Sequence, residues 1–415
     1  MQITREKVSP EKFIALEDQY GAHNYHPLPV VLERGEGVYV WDVEGKQYFD
    51  FLSAYSAVNQ GHCHPAIINA LIIQAQKLTL TSRAFYNDQL GLYEKYMCKL
   101  FGYDKVLPMN TGVEAVETAV KLCRKWAYSK KGIPENMANI LVFEGNFHGR
   151  TMTAVSASTD PSSFTNFGPF LPGIIKLPYN DLDALKKCIS TTSNIAGLII
   201  EPIQGEAGVI VPDDNYLKQV FELCCAHSIL FIADEVQTGI ARTGRMLACD
   251  HLDIKPDILI LGKALSGGTL PVSAVLTSDD IMLCIKPGEH GSTFGGNPLA
   301  CAVAIAALEV IKDEHLIKNA EDRGQQLREQ LRLIQKKHPI IETIRGKGLL
   351  NAIVIKSPEE SDLAWNICLQ MATNGLLAKP THGNIIRLAP PLCITTEQID
   401  ECSYIIEKSL TDLGI

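Results

Sequence analysis

Two residues stand where their type and setting could do chemistry, each at the end of a short apolar run. Lys263 lies in ILILGKALSGG (258–268), and Asp234 lies in ILFIADEVQTG (229–239). An ordinary lysine would open a helix and face solvent. Lys263 instead follows Ile258–Leu261 and precedes Ser266-Gly267-Gly268, which places it at a strand-to-loop junction. Desolvation there lowers an amine pKa and favours the neutral, imine-forming amine. A carboxylate delivered by a parallel neighbouring strand can keep a pyridine nitrogen protonated. Lysine and aspartate together read as the two groups that pyridoxal phosphate (PLP) chemistry requires, one to hold the cofactor as a Schiff base and one to anchor its ring.

Other residues cluster around that reading. Glu235 should point away from Asp234, because strand side chains alternate. Gln237 could donate to the phenolic oxygen of the cofactor. A phosphate needs backbone N–H groups, and a helix N-terminus supplies them. In MNTGVEAVETAVKLCRKWAYSKKG (109–132), Thr111 and Glu114 fit a capping box, Val113, Val116, Val120 and Cys123 form a helical stripe, and Gly112 removes a side chain where an anion would approach. A second such place, GSTFGGNPLA (291–300), offers Ser292 and Thr293. GNFHGRT (145–151) follows the run ILVF; Phe147 could stack on a flat ring or simply fill core, and Arg150 could bind a carboxylate in bidentate fashion. Arg387, in NIIRLAPP, has a similar setting. His62-Cys63-His64 invites a zinc reading, but its spacing matches no closed zinc site, and a Gly-His-x-His-Pro loop reads as structural.

The elements that must position these residues follow a regular pattern. NILVFEG (139–145), AGLIIEPIQ (196–204), ILFIADEV (229–236) and DILILGKA (257–264) are near-continuous apolar runs separated by helical stretches. That pattern predicts an α/β fold with a mostly parallel sheet covered on both faces, in a large domain at 51–300. Sites in such sheets lie beyond the carboxyl ends of strands. Upstream, Val38, Val40, Asp42 and the Glu44-Gly45 turn predict a hairpin, in a segment 1–50 that joins a smaller domain. The stretch after residue 300 is charged and helix-periodic, then turns to RGKGLLNAIVI, a helix around 361–374, and IIRLAPPL. It predicts a smaller C-terminal α/β domain over 301–415.

Composition narrows the classes. The chain has 415 residues, 46% of them hydrophobic and 20% charged, with a net charge of −9. Such a length can bury a large core, and the acidic balance argues against a nucleic-acid partner. The twelve cysteines are scattered, with no CxxC pair, which favours a reducing compartment. MQITREKVSPEKF has neither a secretory apolar region nor an Arg/Ser-rich amphipathic stretch, and no apolar run approaches the ~20 residues that span a bilayer. A cytoplasmic location without membrane contact is the expectation.

NTGVEAVE, EPIQGEAGV, ADEVQTGIARTGR and GKALSGG, in this order and spacing, resemble the class III, ω-amino-acid branch of the fold type I PLP-dependent aminotransferases. The likeness extends through YGAHNYHPLPVVLERGEGVYVWDVEGKQYFDFLSAYSAVNQGHCHP, TLTSRAFYN, HGSTFGGNPL and LLAKPTHGNIIRLAPP, from about residue 17 to the end, and is strongest toward members that use ornithine. It implies that Lys263 carries the cofactor and shuttles a proton, that Asp234 pairs with the ring nitrogen and that Gln237 meets its hydroxyl. Val236 and Phe147 would cover the two ring faces. Gly112 and Val113 would hold the phosphate, with Thr293 reaching the cofactor of a partner subunit, hence a homodimer. The resemblance further implies that Tyr25 and Arg150 hold the amino-acid end of ornithine and that Tyr55 shapes the pocket. Arg387 would take the carboxylate of glutamate or 2-oxoglutarate, with Glu206 pairing Arg387 while ornithine is bound. Amino transfer from ornithine to 2-oxoglutarate would link arginine breakdown to proline metabolism. His148 departs from the tryptophan that animal members tend to carry there, a variation also found in acetylornithine-using relatives. The rival substrates within the family are N-acetylornithine and 4-aminobutyrate. A PLP isomerase or decarboxylase would need no Arg387–Glu206 gate, and a non-catalytic scaffold would not need both Lys263 and Asp234.

Overall fold

The computed structural model describes residues 9–415. The helix Pro10–Tyr20 opens it, and three strands follow: β1 (Leu32–Glu36), β2 (Tyr39–Asp42) and β3 (Gln47–Asp50). β2 and β3 form the expected antiparallel hairpin. Its turn is closed by Asp42, whose Oδ1 accepts from the N–H groups of Glu44 at 3.0 Å and Lys46 at 2.9 Å. Gly45 takes the left-handed conformation the turn requires, with φ 89°.

The central sheet has seven strands: β4 (Lys105–Met109), β5 (Asn139–Phe143), β6 (Ile174–Leu177), β7 (Ile195–Ile200), β8 (Leu230–Asp234), β9 (Ile258–Leu261) and β10 (Ser273–Thr277). Their spatial order is β4-β10-β9-β8-β7-β5-β6, and only β10 runs against the rest. Alternate residues of one strand enter different cores. Ile140 and Val142 pack with the helix Gly112–Trp126 on one face, while Leu141 and Phe143 pack with Leu198, Phe231 and Val220 on the other. A strand buried on both sides has no polar alternation to keep, which is why these runs are apolar throughout.

β11 (Ile341–Lys347), β12 (Leu350–Ile355), β14 (Lys379–Thr381) and β15 (Ile385–Leu388) make an antiparallel sheet in the order β11-β12-β15-β14, and β13 (Leu376–Leu377) instead pairs with β3 in parallel. The last part of the chain and the N-terminal hairpin therefore share one sheet. The helix expected around 361–374 spans Leu363–Thr373. The long helix-periodic stretch after residue 298 is two helices, Pro298–Asp313 and Leu316–Lys337. They are separated by His315, which adopts φ 53° although neither Gly nor Pro marks the break. One continuous core joins Leu259 and Leu261 of the central sheet to these helices and to Ile353, Ile386 and Leu388.

Candidate active site

Strand ends converge on one cavity of about 170 Å³. β8 delivers Asp234 and, in the loop beyond, Val236 and Gln237; the loop after β9 delivers Lys263; Glu201 and Glu206 follow β7. The loop after β5 brings Phe147 and His148, and the start of the helix Gly112–Trp126 brings Gly112 and Val113. The sheet order makes this convergence unavoidable. β9, β8, β7 and β5 are consecutive parallel neighbours, so their carboxyl ends line one edge.

Lys263 opens a short 3-10 turn with φ 43°, a left-handed conformation unfavourable for a residue with a Cβ. Such strain persists where the surroundings over-determine it, as at functional sites. Burial lowers the pKa of its amine, while the charges of Glu206 and Asp234 oppose that effect. The net direction is toward the neutral amine.

Asp234 is 4% exposed and accepts a hydrogen bond at 2.7 Å from Nδ1 of His148, itself 4% exposed. The other oxygen of Asp234 accepts from the N–H of Val236 at 3.2 Å. Burial works against a charge on His148. The bond to Asp234 and its negative charge outweigh burial, and the His148 pKa stands above the ordinary histidine value. Behind this pair lies Glu201, which accepts from the N–H groups of Phe147 at 2.8 Å and Gly205 at 3.3 Å. Burial, and to a lesser degree the charge of Asp234, push its carboxyl up to about 7 against the opposing pull of His148. Glu235 points to the opposite side, as alternation requires, and accepts from the N–H groups of Ala248 and Cys249.

The helix end is built as its sequence suggests. Thr111 and Glu114 form the capping box, and the Glu114 carboxylate accepts from the N–H groups of Asn110 and Thr111 at 2.9 Å each. The amides of Gly112 and Val113, in the first turn, have no intrahelical acceptor and remain for an anion. A Cβ on Gly112 would sit 2.8 Å from Val236 Cγ1, so the close approach of helix and β8 loop requires glycine. Ser292 Oγ accepts from Asn110 Nδ2 at 2.9 Å, next to this end. Thr293 is exposed and does not line the cavity.

At the other side Arg387 and Glu206 form an ion pair at 2.7 Å. Burial opposes the negative charge on Glu206, but Arg387 outweighs it and holds the carboxyl below its ordinary value. The Arg387 guanidinium lies over the Tyr55 ring at 4.9 Å from its centroid. Arg150 lies over the Phe147 ring at 5.4 Å and donates to Ser163 Oγ at 2.8 Å, with its side chain otherwise exposed. Tyr25 is 71% exposed and does not line the cavity.

Of the residues singled out from sequence, Gly112, Val113, Phe147, Glu206, Asp234, Val236, Gln237 and Lys263 are thus brought to one cavity, with Arg387 and Tyr55 bonded to or stacked on its wall. Ser292, Thr293, Arg150 and Tyr25 do not line it. Sequence reasoning missed Glu201, although it ends the apolar run of β7 as Asp234 ends that of β8. It also missed that His148, read as a variation, is the partner of Asp234. His62 and His64, considered for zinc, are engaged elsewhere: His62 bonds Asp50, and His64 caps the helix Pro65–Lys77 and meets Glu314 at 2.7 Å.

The residues fit PLP. Gln237 Oε1 and His148 Nε2 are buried without a partner, although buried polar atoms are normally satisfied. An amine, a buried carboxylate and a free helix end around one cavity match an aldehyde, a basic ring nitrogen and a phosphate.

Fold and site define a PLP-dependent aminotransferase of fold type I, and the chain belongs to the class III aminotransferases, whose family model matches residues 20–410. It is similar to rat mitochondrial ornithine aminotransferase, at 62% identity over 97% of this chain and 91% of the relative. Among solved structures, ornithine aminotransferase from Toxoplasma gondii superposes with TM-score 0.95 at 48% identity, covering 98% of this chain and 96% of that one. A second structure of the Toxoplasma protein carries PLP at partial occupancy in its active site. Acetylornithine aminotransferase from Elizabethkingia anophelis gives TM-score 0.90 at 60% identity, covering 98% and 100%. The cofactor of this chain is pyridoxal 5'-phosphate.

Proposed function

We propose that this protein is an ornithine aminotransferase. It moves the δ-amino group of L-ornithine to 2-oxoglutarate and yields glutamate 5-semialdehyde, which cyclises to pyrroline-5-carboxylate, together with glutamate. The observation that carries this reading is the ion pair of Arg387 and Glu206 beside Tyr55, with Glu206 lining the cavity that Lys263 enters.

Bound PLP supplies an electrophilic carbon and an electron sink, so that one cofactor carries the amino group between two substrates. The amine of Lys263 holds and moves the proton at the reacting carbon. Asp234, fixed by His148, holds charge on the ring nitrogen, and Gln237 meets the ring hydroxyl. Val236 and Phe147 cover the ring faces, and Gly112 and Val113 bind the phosphate. Tyr25 and Arg150 take the α-amino and α-carboxylate end of ornithine. The carbon that reacts then brings no carboxylate, and Arg387 faces methylene groups. An unpaired buried guanidinium costs several kcal/mol, and Glu206 neutralises it. When 2-oxoglutarate arrives, its carboxylate replaces Glu206 on Arg387. Gly205 and Gly208 flank the Glu206 loop and favour such a movement.

We further propose a homodimer, in which Ser292 and Thr293 complete the phosphate site of the partner subunit; the exposure of Thr293 supports this. The chain divides into an N-terminal segment 1–50, a large domain 51–300 and a small domain 301–415. All twelve cysteines are unpaired, in keeping with a reducing compartment, which we take to be the cytoplasm. No described helix is long and apolar enough to cross a membrane.

The test is a spectrum of the purified holoenzyme. L-ornithine should convert the absorbance of the lysine-bound cofactor to that of the amine form, and 2-oxoglutarate should reverse it. Lys263→Ala should abolish both changes. Faster turnover of N-acetylornithine than of ornithine would overturn the assignment.

A further inference from the structure

Residues 53–56 carry the substrate tyrosine in an unusual backbone. Ser53, Ala54, Tyr55 and Ser56 have φ values of 48°, 45°, 60° and 72°, four successive left-handed residues without a glycine. Each is unfavourable for a side chain with a Cβ, and left-handed residues normally occur singly. Its own backbone closes the turn, through the N–H of Tyr55 on the Leu52 carbonyl at 2.9 Å and the N–H groups of Ala57 and Val58 on the Ser53 carbonyl at 2.9 and 3.2 Å, and few side chains hold it from outside. Asp50, at the end of β3 and 8% exposed, accepts through Oδ1 from the N–H groups of Leu52 at 2.9 Å and Ser53 at 2.8 Å. Its Oδ2 is held by Nε2 of His62 at 2.7 Å. His62 is in turn fixed by paired backbone bonds with Gly37 at 2.8 and 3.1 Å. Within the turn, the Ser53 hydroxyl is buried without a partner and contributes nothing. Beyond it the Tyr55 carbonyl has only a long contact of 3.5 Å to Gln237 Nε2. The Tyr55 ring nevertheless lies 4.9 Å from the Arg387 guanidinium.

We propose that Asp50, backed by His62, is a positioning residue for substrate: its carboxylate pins the left-handed turn that sets the Tyr55 ring against Arg387. The Gly-His-Cys-His-Pro loop thereby acts on substrate choice without touching substrate. Released from Asp50, residues 53–56 relax toward right-handed backbone, and the ring leaves the pocket wall. Glycine at position 54 tolerates the left-handed conformation and offsets the loss.

The claim rests on the ornithine reading only for its choice of substrate, and the test separates the two. Measure kcat/KM for L-ornithine and 4-aminobutyrate on the holoenzyme of the wild type, Asp50→Ala, Tyr55→Ala and the double variant, with PLP absorbance as a control. Asp50→Ala should lower kcat/KM for ornithine at least tenfold and move the ornithine to 4-aminobutyrate ratio in the direction Tyr55→Ala does. The double variant should be no worse than Tyr55→Ala alone. Adding Ala54→Gly to Asp50→Ala, or using Asp50→Asn, which keeps an acceptor for the two amides, should restore most of the loss. An unchanged ratio with only a lowered Tm, or multiplicative effects in the double variant, would overturn the proposal. If Asp50→Ala does not fold, the same ratio is read in His62→Ala, where a wild-type ratio overturns it. A wild type that ignores ornithine sinks the assigned substrate alone, and the cycle is then read with the amine it accepts.

Discussion

At the residue scale the chemistry depends on charge held in places that disfavour it. Asp234 lies almost wholly out of water, yet keeps a partner in His148, and Glu201 stands behind them with its carboxyl pushed up to about 7. The sign of the resulting pH effect follows from Glu201. A raised carboxyl pKa means that the native state favours the protonated acid. Its stabilising contribution is complete below the ordinary glutamate value, about 4.3, and is lost as pH rises through about 7. The unfolding midpoint of the holoenzyme should therefore fall between pH 5 and pH 8 more steeply than that of Glu201→Gln. Parallel profiles for the two proteins would show that Glu201 does not titrate in this window. His148 was visible in the sequence only as a departure from a pattern, because nothing in a single chain reports which carboxylate an imidazole will meet.

At the element scale, the helix Gly112–Trp126 shows how local code and tertiary contact combine. Its capping box, apolar stripe and free first-turn amides all follow from Thr111, Glu114 and the 3.6-residue period. The need for glycine at 112 has a second source. A Cβ there would meet Val236 at 2.8 Å, a contact between this helix and the loop after β8. Overpacking at such a contact costs about 1–3 kcal/mol. Gly112→Ala should accordingly weaken PLP binding about tenfold or more, read by titrating apoprotein with cofactor, with little change in helix content. Unaltered affinity would remove Gly112 from the phosphate site. The break at His315 lies at the other extreme. The periodicity runs on through it, and neither Gly nor Pro marks the place where the helix stops.

At the scale of the whole molecule, one side chain ties distant segments together. Arg242 is fully buried and donates to Asn59 Oδ1 at 3.1 and 2.5 Å, to the Leu349 carbonyl at 3.0 Å and to the Pro390 carbonyl at 2.6 Å. Burial brings its pKa down to about 9. The three acceptors belong to the segment after Tyr55, to the β11–β12 turn and to the loop after β15, which follows Arg387. Losing them together leaves three buried acceptors unsatisfied, at roughly 1–3 kcal/mol each, less the relief of burying no charge. Arg242→Met should cost about 3 kcal/mol or more in denaturant unfolding and should also raise KM for both substrates. A variant with wild-type stability would show that these segments are held by packing alone.

By itself the sequence determined the α/β class, the strand ends that carry Lys263 and Asp234, the capping box at Thr111 and the family. All of these are short-range: apolar runs, glycine-rich loops and residue spacing act within a few positions along the chain. The tertiary structure decided the rest. It set the 2.7 Å bonds of His148 to Asp234 and of Arg387 to Glu206, the raised acid at Glu201, the left-handed turn under Tyr55 and the pairing of β13 with β3. The turn is local but runs against what its residue types favour; the others join residues remote in sequence, where burial and charge are properties of assembled neighbours and no local pattern records them.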